Sequence, residues 1–321
     1  MTTVQNDLSP GMSEEGAEAV HTPVMLEEIL QLLGPRQERE MMVDATLGEG
    51  GHSEAFLSRF PDMRIIGIDA DPDIIERAQR RLRAFDQRIH FYTGWSEDFF
   101  AAFPEHEQKP DSILMDLGIS RFHYEKSGRG FSFQRSEPLD MRIDPRRGQS
   151  AADLIRSMPE KILADLLFTN AEERFSRHIA HAIKAIRPPL DNSLALAEVV
   201  CHAVPPRYRY GPVHPATRTF QALRIAVNAE LDSLPNRLEA ALRVLAPGGR
   251  FGVITFHSLE DRIVKNFFKE KSLKMPIMKE NIAVTVLTKK GLVPTNEELQ
   301  RNPPSRSARF RCVAKALDGD N

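Results

Sequence analysis

The chain has 321 residues, 41% of them hydrophobic and 27% charged, with a formal net charge of −2. That length holds one large or two modest domains with ample core, and the balance is that of a globular protein rather than a disordered or fibrous one. No apolar run approaches membrane-spanning length, no signal-peptide pattern opens the chain, and Cys201 and Cys312, the only cysteines, lack metal or redox spacing. These features predict a cytoplasmic, disulfide-free protein with no membrane partner.

Residues 1–20 carry Asp7, Glu14, Glu15 and Glu18 and no base, and read as a disordered tail. Thr22 and Pro23 read as the cap and first turn of a helix. Its apolar stripe is Leu26, Ile29, Leu30 and Leu33, and Gly34-Pro35 stops it. Strands are predicted over 41–45, 64–69, 89–93 and 112–117, with helices near 53–60 and 72–85. That alternation predicts a parallel sheet with helices on its faces.

After Leu117 the rhythm breaks into a long polar loop through Gly128-Arg-Gly-Phe-Ser-Phe and Pro138-Leu-Asp-Met-Arg-Ile-Asp-Pro. Helical patterns run from Ser150 to about Val204, divided by Pro188-Pro189, and two further helices follow over 216–232 and 235–245. Pro247-Gly-Gly turns into a fifth strand, Arg250 to Phe256. Residues 282–288 and 309–315 predict a closing antiparallel pair, with Asn302-Pro-Pro-Ser as a turn before the last strand. A βα domain is thus interrupted by a mainly helical insert.

The glycine-rich turn Asp44-Ala-Thr-Leu-Gly48-Glu-Gly50-Gly51-His52-Ser53 directly follows the first strand, and Ile65-Ile-Gly-Ile-Asp69 ends the second in an acid. Strand, glycine turn, helix and acid-tipped strand form a nucleoside-binding βαβ unit. The glycines let backbone approach a ligand, and the acid can accept both ribose hydroxyl hydrogens. Asp44 at the first strand end would repel the pyrophosphate of a dinucleotide. It suits S-adenosylmethionine, which carries a ribose, an amino group and a sulfonium but no phosphate. A methyl-donor site is therefore favoured over a nicotinamide site.

Charge is unevenly distributed. From Val199 to Ala229 there is no acid, yet Arg207, Arg209, Arg218 and Arg224 occur with Tyr208, Tyr210 and Phe220 among them. From Leu299 to Leu317 there is again no acid, with Arg301, Arg306, Arg309, Arg311 and Lys315. Between Arg121 and Arg147 the bases outnumber the acids seven to four. Basic stretches interleaved with aromatics suit a phosphate backbone and splayed bases.

His21-Thr-Pro-Val, Asp44-Ala-Thr-Leu-Gly-Glu-Gly-Gly-His52-Ser, Asp116-Leu-Gly-Ile-Ser120, Gly130-Phe-Ser-Phe and Pro138-Leu-Asp-Met-Arg follow one another along the chain. His214-Pro-Ala-Thr-Arg-Thr-Phe-Gln-Ala-Leu-Arg224, Phe256-His-Ser-Leu-Glu-Asp-Arg262 and Ser305-Arg-Ser-Ala-Arg-Phe-Arg311 continue the series. In this order they resemble the bacterial methyltransferases that modify a cytosine of 16S ribosomal RNA on its exocyclic N4. The resemblance implies an α/β fold: a Rossmann-like S-adenosylmethionine-dependent methyltransferase sheet with a helical insertion domain. It implies a discontinuous methyltransferase domain, 21–120 and 214–321, and a 121–213 insert that recognises rRNA in the small ribosomal subunit. Donor contacts carried over are Gly50, Gly51, His52, Asp69, Trp95 and Asp116. The last family contact is commonly glutamine and falls here on His123, within Ser120-Arg-Phe-His123 where the family commonly has Ser-Ser-Pro-Gln.

The exocyclic nitrogen of cytosine is a poor nucleophile, because its lone pair is delocalised into the ring. An acceptor for the amino protons as the nitrogen becomes tetrahedral stabilises the transition state. Candidates are Asp116 at the fourth strand end, a nearby backbone carbonyl, or a residue of Phe256-His257-Ser258. His257 is also a candidate base. His178 and His181 stand at helical spacing, but no carboxylate or cysteine completes a metal set, so none is assigned. The substrate alternatives are DNA, protein or a small molecule on the same fold, or an assembly factor without turnover.

Overall fold

The computed structural model describes residues 22–272 and 283–317. The 1–20 tail, His21 and Ile282 lie outside the described residues. Seven strands form one sheet: β1 (Met41–Asp44), β2 (Arg64–Asp69), β3 (Ile89–Thr93), β4 (Ser112–Asp116), β5 (Arg250–Thr255), β6 (Val284–Val286) and β7 (Arg309–Lys315). Their order is β3-β2-β1-β4-β5-β7-β6. The first five pair in parallel, while β7 runs antiparallel to both β5 and β6. This is the expected Rossmann-like sheet, with the predicted closing pair in place.

Alternation along the strands builds two cores. Met42 and Leu114 point to one face, where α1 (Leu26–Leu33), α2 (Gly51–Arg59) and α3 (Pro72–Leu82) bury Ile29, Phe56 and Ile75. Val43 and Ile113 point to the other, with Phe100 of α4 (Ser96–Ala101). A third apolar cluster lies in the insert. The chain runs through α5 (Arg121–Glu125), a polar loop, then α6 (Ala151–Ser157), α7 (Glu160–Ala171), α8 (Ser176–Ala185), α9 (Ser193–Ala203) and the short α10 (Pro206–Arg209). Next comes α11 (Ala216–Val227), which buries Ala216, Phe220, Ala222 and Leu223 in that insert cluster. Then α12 (Glu230–Val244) and α13 (Ser258–Ser272) return to the sheet through Leu238, Leu242, Val264 and Phe268. Finally α14 (Asn296–Arg301) and a 3-10 turn over Pro303–Ser307 precede β7.

Two expectations need correction. Thr22-Pro23 does not start α1; Met25, with φ 54°, caps it instead. Tertiary bonds hold this segment off the helix: Asn302 Nδ2 donates to the Thr22 carbonyl, His52 Nε2 lies 3.0 Å from the Val24 carbonyl, and the Met25 N–H donates to Glu298. The break between the two later helices falls at Asn228-Ala229 rather than before Pro235, which lies inside α12. Ala229 is left-handed at φ 48°, and the Asn228 amide bonds Met141 and Ile143 of the polar loop. Helices α4, α5, α10, α13 and α14 were not foreseen.

Candidate active site

Ligands of open α/β sheets bind at the carboxyl ends of the parallel strands, and here two clefts meet there. The turn after β1 is the shared rim. Thr46 Oγ1 accepts the Asp116 N–H at 2.6 Å, joining the ends of β1 and β4. The Gly48 N–H donates to Asp69 Oδ2 at 3.0 Å, joining the turn to β2. Gly48 adopts φ +54° and a Cβ there would meet no atom within 4 Å, so its bare face is open to a ligand.

The inner cleft is lined by Asp69, Trp95, Asp116, His123, Ile143, Arg237 and Glu260 among others. The outer cleft, of about 800 Å³, is lined by Gly51, His52, Arg121, Tyr124, Arg224, Phe256 and Arg301 among others. Thr46, Gly48 and the run Asp116-Leu-Gly-Ile-Ser120 line both.

The sequence-derived residues separate accordingly. Asp69, Trp95, Asp116 and His123 come together in the inner cleft; Gly51 and His52 face the outer one. Gly50 lines neither: with φ +81°, it presents its bare Cα to α3, where a Cβ would sit 2.7 Å from Leu82. His257 also lines neither cleft. Its Nε2 lies 3.0 Å from Glu260 Oε1, an ion-pair distance without hydrogen-bond alignment.

Glu260 is what sequence reasoning missed. Its Oε2 accepts the backbone N–H groups of Phe256 and His257, capping α13 while the residue lines the inner cleft. The signal was the glutamate three residues beyond His257, the spacing of a capping box. Arg237, 7% exposed, lines the same cleft from α12, and its Nε has no hydrogen-bond partner.

The cleft floor is acidic. Burial, with the charges of Asp44 and Glu260, pushes Asp116 up to about 7 against the opposing Gly118 N–H bond. Asp44 lines neither cleft but lies buried behind this floor, where burial pushes it up to about 6 although the Ser53 hydroxyl donates to it at 2.7 Å. Asp69 is also raised by burial, against N–H bonds from Asp71 and Gly48. Carboxyls so poised favour a cationic ligand, which stabilises their ionised forms. Among the described residues no His, Cys, Asp or Glu group could hold a metal ion.

S-adenosylmethionine fits this lining. Asp69 suits the ribose hydroxyls, Trp95 offers an aromatic face for adenine, and the acids suit sulfonium and ammonium charge. His123 is buried, with Nε2 bonded to Asp71 at 2.9 Å and Nδ1 unpartnered. Its ring lines the inner cleft at the position where the family commonly has glutamine. Fold and site together define a Rossmann-like methyltransferase dependent on S-adenosylmethionine.

The model of the MraW methylase family matches residues 18–316. The chain is 56% identical over 309 residues to ribosomal RNA small subunit methyltransferase H of Treponema denticola, covering 92% of this chain and 97% of that one. The enzyme of the same name from Syntrophobacter fumaroxidans is 45% identical over 316 residues, covering 94% and 98%. That from Treponema pallidum is 41% identical over 350 residues, covering 92% of each chain. This chain belongs to the MraW methylase family.

Proposed function

We propose that the chain methylates the exocyclic N4 of a cytosine in 16S rRNA, acting in the cytoplasm on the small ribosomal subunit. The observation that carries this reading is the position of Asp116 on the wall common to both clefts. When bound, S-adenosylmethionine supplies an electrophilic methyl group on its sulfonium. Asp116 Oδ1 accepts the Gly118 N–H at 3.0 Å, and Oδ2 has no such bond among the described residues. Oδ2 is free to accept a hydrogen of the target amine, which strengthens the nucleophile and steadies the developing tetrahedral nitrogen. A carboxyl near 7 can then take the released proton and pass it to water.

The outer cleft suits the acceptor. Phe256 and Tyr124 give aromatic surface for a base withdrawn from its stack. Each of the three base-rich stretches lends it one arginine: Arg121, paired with Glu125, Arg224, paired with Glu230, and Arg301. Since α11 shares the apolar cluster of the insert, we take the recognition insert, read as 121–213, to extend through α11. Incubation with methyl-labelled donor tests the reading on bare 16S rRNA and on assembled small subunits. Label in the RNA supports it; label confined to protein, or no transfer to either substrate, overturns it.

A further inference from the structure

Asp71 lines neither cleft and is fully buried, yet it bonds two residues that line the inner one. Its backbone N–H donates to Asp69 Oδ1 at 2.9 Å, fixing the ribose acid. Its Oδ1 caps α3 through the Asp73 N–H at 3.0 Å. Its Oδ2 receives both His123 Nε2, at 2.9 Å, and Arg129 Nη2. Burial alone would push this carboxyl up; the bonds from His123 and Arg129 outweigh it and hold it below the usual carboxylate range.

Arg129 carries the connection into the polar loop. Its Nη1 donates to the carbonyls of Arg142 and Ile143 at 3.0 and 2.7 Å, and its own carbonyl accepts the Met141 N–H at 2.8 Å. Met141 is held at φ 61°, a left-handed conformation that a non-glycine residue adopts only when its surroundings enforce it. Ile143 forms part of the inner cleft wall. Its N–H donates to Asn228, whose amide in turn bonds the carbonyls of Met141 and Arg224. Arg224 lines the outer cleft. One continuous set of hydrogen bonds thus joins the ribose acid and His123 to the loop and to the acceptor cleft.

Resting on the methyltransferase reading, we propose that Asp71 is a positioning residue for methyl transfer. It sets His123 and Asp69 directly, and the Ile143 wall through Arg129. Filling the inner cleft and seating the loop are then one event, so donor and RNA strengthen each other's binding by the same factor. The loop carries Arg142, Arg146 and Arg147, each of which pairs with an acid inside this structure. Its order, rather than free charge at these arginines, is what donor binding changes for the RNA.

The test uses the full chain, S-adenosylhomocysteine and small ribosomal subunits. In the wild-type protein S-adenosylhomocysteine should slow amide exchange at Met141 and Ile143 and tighten RNA binding. Asp71→Asn keeps a side chain that can cap α3 but loses the charge shared by His123 and Arg129. It should weaken S-adenosylhomocysteine binding about tenfold and abolish the exchange protection and the coupling. A merely destabilised variant would lose affinity for both ligands and keep their ratio, which overturns the proposal. Unchanged exchange at Met141 and Ile143 in the wild type overturns it too, and that result stands even if Asp71→Asn fails to fold. Intact coupling without methyl transfer to RNA would refute the reaction and leave the positioning role standing.

Discussion

Asp116 and Asp44 give the site a pH signature. Their ordinary value is 3.8, and the fold raises them to about 7 and about 6. Between those limits the folded chain binds more protons than the unfolded one, so these groups make stability fall as pH rises from near 4 through 7. The ligand-free melting temperature should therefore drop from about pH 5 to about pH 8, and Asp116→Asn should flatten part of that slope. Donor affinity should run the opposite way, rising with pH, because a cationic ligand prefers the ionised carboxyls. Calorimetric titration of S-adenosylmethionine across this range checks the sign; a pH-independent affinity would remove Asp116 from the donor's surroundings. For Asp69→Ala, loss of a charge-assisted acceptor should cost about 1.5–3 kcal/mol of donor affinity. Its carboxylate also holds the Gly48 and Asp71 N–H groups. Some thermal stability should go with it, and donor affinity must be read on protein shown to be folded. Wild-type affinity in that variant would show that Asp69 does not hold the ribose.

At the level of elements, local signals were legible and long-range ones were not. Apolar periodicity located β1 to β5, because each strand is a short apolar run bounded by turn residues. Thr22-Pro23 misled because its competitors for the chain, His52, Glu298 and Asn302, are distant in sequence. Asp69, Trp95, Asp116 and His123 were legible as motif residues. Arg237 was not, and the capping-box spacing of Glu260 marks a helix start but not the cleft that the residue faces. Arg224 stands in an acid-free stretch suited to a phosphate backbone or to support of its own helix; the fold pairs it with Glu230 at 2.9 Å, with side-chain exposures of 13% and 12%. Arg224→Ala leaves that glutamate uncompensated between α11 and α12, and should cost roughly 3 kcal/mol of stability. A chemical denaturation midpoint equal to wild type would contradict this. Arg209 likewise serves the fold, donating to the carbonyls of His202 and Val204 at the end of α9. The free surface of α10 is Arg207, stacked 4.9 Å over Tyr208, and the neighbouring Tyr210, which is 91% exposed. Replacing Arg207 and Tyr210 together by alanine should leave melting and donor affinity alone. RNA binding should weaken and its salt slope should shrink by about 1. An unaltered salt series would confine the RNA grip to other basic stretches.

The whole molecule is a two-sided arrangement built on one sheet edge. Burial creates an acidic inner cleft suited to a cationic donor, while the insert and the C-terminal turn wall an outer cleft with aromatics and arginines. The formal net charge of −2 hides an uneven distribution: three stretches, 121–147, 199–229 and 299–317, carry more bases than acids. Among the described residues no helix is long and apolar enough to cross a membrane. The proposed reaction makes a chemical commitment as well as a substrate one: in it Asp116 Oδ2 accepts a hydrogen of an exocyclic amine. Mass spectrometry of nucleosides tests that commitment most directly, after reaction of this protein with isotopically labelled donor and small subunits that lack the modification. The account predicts label in N4-methylcytidine, lost when Asp116 is replaced by alanine. Label in 5-methylcytidine, in a 2′-O-methylated nucleoside or in another base would contradict it.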